Sequence, residues 1–154
     1  ENAEPVMNRD YFPVVKNLIY NSQKYIYLYM YGLKFNPKNK KDPITILLNG
    51  MVAAKNRGVD VKVVVEKSDY NTKLNELNNE VADFLRNNKI EVRYDPENKT
   101  SHAKLLIVDD TVVIGSTNWA YGAMMLNNEA NILLKVNSAT KFFKEYFFNL
   151  WGSK

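Results

Sequence analysis

The one histidine of the chain, His102, stands two residues before a lysine, Lys104, at the head of an apolar run from Leu105 to Val108. Side chains two apart on a β-strand leave the same face. An imidazole able to attack an electrophilic centre and an ammonium able to hold an anion therefore address one space. Asp109, at odd spacing from His102, leaves the opposite face of a regular strand and suits an anchor for the structure beneath. The chain then turns through Asp110 and Thr111, enters a second β-branched run at Val112, Val113 and Ile114, and ends in Gly115-Ser116-Thr117-Asn118. Small polar residues after a strand leave room for an anion to approach the backbone, and Gly115 permits close approach. With Asn127, Asn128 and Glu129 following, the whole reads as a polar pocket on a hydrophobic hairpin.

This set of residues resembles the HKD motif of the phospholipase D superfamily, and within it the small, single-motif, Nuc-like endonuclease subgroup. His102, Lys104, Asp109, Gly115, Ser116 and Asn118 match the motif residue for residue, and Glu129 falls where the family often carries a downstream glutamate. The resemblance implies an α/β fold with a mixed β-sheet flanked by helices on both faces. It also implies a route: imidazole attack on phosphorus, a covalent phosphohistidine, and release by water, with no metal or other cofactor. That route uses two histidines and this chain has one, so a two-fold homodimer would bring two copies of His102 to a shared site. Lys104 is expected on the phosphate oxygens, Asn118 as an amide donor with Ser116 beside it, and Glu129 as the group that orients the imidazole. Gly115 and Thr117 are expected to line the anion pocket, and Asp109 to anchor the hairpin.

One residue fewer than the superfamily usually has separates Asp109 from Gly115. A one-residue change of register moves every side chain to the other face. For Ser116 and Asn118 to share a face with Lys104, the hairpin is expected to carry an odd loop, such as Asp110-Thr111-Val112, or a bulge.

The elements that must position these residues follow from periodicity. Asn8 to Ser22 carries Tyr11, Phe12, Val15, Leu18 and Ile19 at helical spacing, with Pro13 in the first turn. Tyr25 to Leu33 alternates tyrosine with Ile, Leu and Met, which predicts a strand whose tyrosine row is a buried face rather than a base-stacking platform. Lys34 to Asp42 is a loop that gathers Lys34, Lys38, Lys40 and Lys41, either a solvated connection or a phosphate-attracting rim. Asp42-Pro43 starts a helix that Gly58 stops, and Asp60 to Glu66 is a valine-rich strand. Tyr70 to Asn87 is a second amphipathic helix, and Ile90 to Tyr94 a short strand. Residues Asp95 to Lys99, Glu97 among them, form a loop into the motif hairpin. Trp119 to Leu126 is apolar enough for core and interface, or for a lipid-facing lip. Glu129 to Val136 reads as a final strand, and Ser138 as the cap of a last helix with Phe142, Phe143, Tyr146, Phe147 and Leu150 inward. Helix, glycine, valine-rich strand is the rhythm of a sheet flanked by helices.

Composition sets the frame. A chain of 154 residues with 45% hydrophobic content makes one globular domain over residues 1–154, with no internal repeat or linker. The absence of cysteine excludes disulfides and thiolate metal sites, and a single histidine argues against zinc. A formal charge of +4 favours anionic partners. Nucleic acid is the expected substrate. A phospholipid, through a phospholipase D, cardiolipin-type hydrolase or phosphatidyltransferase activity, is the alternative; a nucleic-acid-binding protein without catalysis is the third reading. No stretch is apolar enough for a bilayer-spanning helix. Because the sequence opens on Glu1 and meets its first methionine at Met7, an export signal or membrane anchor removed from the N-terminus, or a trimmed chain, is expected.

Overall fold

In the computed structural model, residues 2–96 and 98–152 are described, so the expectations that rest on Glu1 and Glu97 lie outside the described residues. Strand β1 is Ala3–Met7, and a 3-10 turn over Asn8–Asp10 leads into α1, Tyr11–Tyr20. β2 is Tyr25–Met30. The Asp42 carboxylate accepts the Thr45 amide at 3.0 Å, and Pro43 fills the first position of α2, Pro43–Asn56. Gly58, at a φ of 99°, turns the chain out of that helix into β3, Asp60–Val65. The Asn71 side chain caps α3, Thr72–Asn87, by accepting the Leu74 amide. β4 (Glu91–Tyr94), β5 (Lys104–Val108), β6 (Thr111–Gly115), α4 (Tyr121–Met125), β7 (Ala130–Leu134) and α5 (Asn137–Trp151) complete the order.

The strands form one mixed sheet in the order β1-β7-β6-β5-β2-β3-β4. β2, β3 and β4 run parallel, and every other pairing is antiparallel. On one face, Ile26, Leu28, Met30, Leu106 and Val108 meet Val15 and Ile19 of α1, Leu47 and Met51 of α2, and Val81 and Leu85 of α3. On the other, Tyr27, Tyr29, Val64, Leu105 and Ile107 meet Phe147 and Trp151 of α5. Helices therefore cover both faces, as expected for this α/β arrangement. The tyrosine row is a buried face, with Tyr25 stacked on Tyr27 at 4.9 Å and Tyr27 on Phe147 at 5.1 Å.

Four expectations need correction. β1 replaces unassigned chain: only Val6 of Ala3–Met7 is buried, so the segment lacks the alternation that announces a strand, and an edge position beside β7 tolerates its proline. The helix after Val136 starts at Asn137 with no side-chain cap, so Ser138 does not cap it. On α5, Phe142 and Tyr146 are exposed rather than inward, because a helix this apolar all round presents more greasy surface than one sheet face can cover.

The fourth concerns the motif hairpin. Val108 pairs with Thr111, which makes the connection a regular two-residue turn, Asp109-Asp110, without the odd loop or bulge predicted. Asp109 takes a φ of 51°, a conformation that Asp tolerates better than most side chains, and its carboxylate is held in return. The strand β6 stops at Gly115. Ser116 lies past the strand, where the face alternation no longer applies. Its amide donates to the Ala130 carbonyl at 3.1 Å, while its hydroxyl accepts the Ala130 amide at 3.0 Å in place of a backbone oxygen.

Candidate active site

The strand directions bring the polar residues to one end of the sheet. β1, β2, β3, β4 and β6 finish there, and β5 and β7 begin there. In open α/β sheets that carboxyl end is where ligands are held. His102 and Lys104 enter it at the head of β5, Ser116 and Asn118 just after β6, and Glu129 just before β7.

His102 is exposed and Lys104, two residues on, is 8% exposed. The Lys104 Nζ donates to the His102 carbonyl at 2.6 Å and stands 2.9 Å from the ring Nδ1. Burial pulls the Lys104 pKa below the usual lysine range, and the nearby Glu129 carboxylate opposes that pull. Among the described residues Lys104 has no ion-pair partner. A buried ammonium without a direct ion pair is a site for an anion.

Tyr31, the residue after β2, closes one side. Its ring lies 4.6 Å from the His102 ring, and the Lys104 Nζ is 5.2 Å from its centroid. Its amide donates to the Ala103 carbonyl at 3.0 Å, tying it to the strand that bears the histidine. Sequence reading missed Tyr31, although it continues the period-two tyrosine row past the end of the strand.

Asn118 lies beside Gly32, the residue after Tyr31, and is held by its neighbour. Trp119 donates its amide to the Gly32 carbonyl at 3.0 Å, accepts the Lys34 amide at 2.9 Å, and is fully buried with its indole N–H on the Tyr11 hydroxyl. The Asn118 Oδ1 is enclosed without a hydrogen-bond partner among the described residues.

Glu129 does not orient the imidazole as expected. Its Oε1 accepts the Ser116 hydroxyl at 2.6 Å and its Oε2 the Asn127 amide at 3.2 Å, while Asn8 holds its backbone on both sides. The group touching the imidazole is Lys104, and Glu129 acts on Lys104 by charge. Asn8 lies far away in sequence, and no local pattern announces it. Thr117 also departs from expectation. It is fully buried, its hydroxyl accepting the Asn131 side-chain amide at 2.9 Å, so it supports the pocket from beneath. Gly115 is required for packing: a Cβ there would lie 2.3 Å from the Ala130 carbonyl oxygen.

Asp109 sits at the opposite end of β5, roughly 16 Å along the strand at about 3.3 Å per residue. Its carboxylate accepts the amides of Gln23, Lys24 and Tyr25 at 3.1, 2.8 and 3.2 Å. The anchor role read from strand parity matches this placement. Lys34, Lys38, Lys40 and Lys41 are exposed on the loop that leaves β2 at the site end. Asn36 and Asn39 shape that loop by accepting the Lys38 and Lys41 amides, and among the described residues none of the four lysines has an ion pair. Nor do three or more His, Asp or Glu side chains gather to hold a metal among the described residues.

The chain is 34% identical over 96 residues to the mitochondrial cardiolipin hydrolase of Canis lupus familiaris; the match covers 62% of this chain and spans only 36% of that relative. Its fold is similar to that of Nuc from Salmonella typhimurium, a phospholipase D family member (TM-score 0.77, 24% identity, 97% of this chain and 94% of that one). It is also similar to NucT from Helicobacter pylori (TM-score 0.74, 16% identity, 97% and 96% covered). A family model described as "Cardiolipin synthase, PLD-like domain" matches residues 15–151, nearly the whole chain, and the protein therefore belongs to the phospholipase D superfamily.

Proposed function

We propose that the protein is a phosphodiester hydrolase acting on nucleic acid, DNA and also RNA, as a non-specific endonuclease. The observation that carries this is an exposed imidazole set directly on a buried ammonium that has no direct ion pair among the described residues. That pair offers a nucleophile and a phosphate-oxygen cradle in the same space. His102 attacks phosphorus and forms a phosphorus–nitrogen bond as the leaving oxygen departs with a proton. Water then attacks the phosphohistidine, freeing the ring and the second product. The donor of the first proton, and the base for the water, is His102 of the partner subunit in a two-fold dimer. Lys104 and the Asn118 amide hold the equatorial oxygens. The fold's likeness to a phospholipase D family member of nearly equal length, the net charge of +4 and the lysine loop beside the site favour a polyanionic substrate.

A second reading has its own observation. Tyr121, Met125 and Leu126, on and just after α4, are 53%, 38% and 72% exposed on the segment between Asn118 and Glu129. Such a lip suits a lipid headgroup site, and the similarity to a cardiolipin hydrolase points the same way. Binding of nucleic acid with no cleavage and no label on His102 would favour the third reading, a binding protein without catalysis.

The deciding experiment offers labelled single- and double-stranded DNA, RNA and cardiolipin vesicles in parallel, with and without EDTA, and quenches to trap phosphate on His102. Cleavage of nucleic acid with label on His102, by a dimer in sedimentation, is the expected result. Lipid turnover alone would move the assignment to the second reading, and a fully active monomer would remove the shared site.

A further inference from the structure

Below the loop that carries His102 lies a pair of buried acids that the mechanism does not use. Glu66, directly after β3, is 1% exposed, and Asp95, directly after β4, is 4% exposed. The Glu66 Oε1 accepts the Ser101 amide at 2.9 Å, and Ser101 is the residue immediately before His102. Glu66 is itself fixed, its carbonyl accepting the Asn78 side chain at 3.1 Å and its amide lying 3.4 Å from the Met30 carbonyl. The Asp95 Oδ1 accepts the Lys67 amide at 2.7 Å, while its Oδ2 is enclosed without a hydrogen-bond partner among the described residues. The parallel pairing of β3 and β4 sets the two carboxyls side by side, and two carboxyls buried together are most stable with one proton between them.

We infer that Glu66 and Asp95 are positioning residues for His102, a proton-sharing carboxyl pair that sets the Ser101 backbone from which the imidazole is presented. This rests on the reading of His102 as the nucleophile. With the shared proton in place the pair carries one charge and keeps its geometry. Losing it leaves two carboxylates in contact inside the protein, and their repulsion is relieved by movement of Ser101. Burial first, and the Asp95 contact second, push the Glu66 pKa up to about 7, so the proton is lost in the neutral range. Asp69 adds negative charge from the loop beyond β3. From β2, the Tyr29 phenol lies near Ser101 and both acids, with the Tyr146 ring of α5 6.2 Å from its own. Lys67 and Lys99 flank Glu66 in the small adjoining cavity of about 60 Å³, and His102 stands one residue past Ser101.

Because the chain has one histidine, its imidazole signals in an NMR titration belong to His102 alone. The test follows those signals from pH 5 to 9 in the wild type, Glu66→Gln and Asp95→Asn, beside kcat and KM on a DNA oligonucleotide. Wild type is expected to show a second inflection near pH 7 besides the ring's own. Glu66→Gln, which keeps the acceptor for Ser101 and donates permanently to Asp95, should erase it and remove the matching limb from the kcat profile while leaving KM in place. Asp95→Asn, which removes the repulsion, should move it to lower pH. Identical ring titrations in wild type and in whichever variants fold would overturn the inference. If the wild type cleaves no phosphodiester, the proposed function fails, and the ring titration still decides the carboxyl pair.

Discussion

The two ends of β5 hold polar side chains of opposite status. At its far end the Asp109 carboxylate receives three backbone amides and has nothing left to offer a ligand. At its near end Lys104 is buried without an ion pair among the described residues, and His102 is open to solvent. A buried charge without a partner costs the fold stability, so the Lys104 ammonium beside the open imidazole marks where an anion can bind. The motif residues thus divide by satisfaction rather than by sequence distance.

Substituting each end tests that division. His102→Ala should lower turnover by about 10⁴-fold or more, as removal of a nucleophile does, and leave Tm nearly unchanged because the ring is exposed and meets Tyr31 and the Lys104 ammonium at the surface. Retained cleavage in that variant would end the nucleophile assignment. Asp109→Ala should do the reverse. It orphans three amides, a loss of about 3 kcal/mol or roughly 6–12 °C in Tm, with wild-type turnover per folded molecule. A thermal melt and an active-site titration read both quantities. A catalytic defect in folded Asp109→Ala protein would erase the contrast between the ends.

Much of this was legible because it is written locally. Asp42-Pro43 and Gly58 bracket α2 by backbone chemistry alone, and strand parity separated Asp109 from His102 and Lys104. What stayed hidden depends on distant partners. The carboxylate of Glu129 is taken by Ser116 and Asn127, so it is not free to meet the imidazole. Asn8 joins the site through an edge strand with one buried residue. Hairpin parity suggested a bulge because it treated Ser116 as part of the strand, whereas β6 ends one residue earlier. Glu66 and Asp95 look like the solvated end of a strand and the start of a loop until the parallel pairing of β3 and β4 sets them side by side.

The carboxyl pair extends the contrast to stability, with a smaller effect. The folded-state pKa of Glu66 is raised from 4.5 to about 7. Between those values the unfolded chain has given up a proton that the folded protein keeps, so stability falls as pH rises across the window and levels off above it. Tm is therefore expected to drop between pH 5 and 7.5. Glu66→Gln should flatten that slope. Asp60 does not interfere: burial opposes its ionisation, but hydrogen bonds from Lys62 and Tyr27 outweigh it and hold its pKa below the usual value, under the window. An unchanged slope in Glu66→Gln would show that the proton resides elsewhere.

The smallest effect belongs to the lysine loop, which Asn36 and Asn39 shape and which carries its four charges into solvent. Replacing Lys34, Lys38, Lys40 and Lys41 with alanine removes four charges and takes the formal net charge from +4 to zero (+4 − 4). Each lysine that touches phosphate should reduce the slope of log affinity against log salt by about 0.7–0.9. KM for DNA should rise at moderate salt while kcat holds, because the loop attracts the polyanion and takes no part in bond making. All four side chains are exposed and hold no ion pair among the described residues, so Tm should stay in place. A salt slope identical to wild type would make the loop a solvated connection, and the unsatisfied end of the sheet would then begin at Lys104 rather than at its rim.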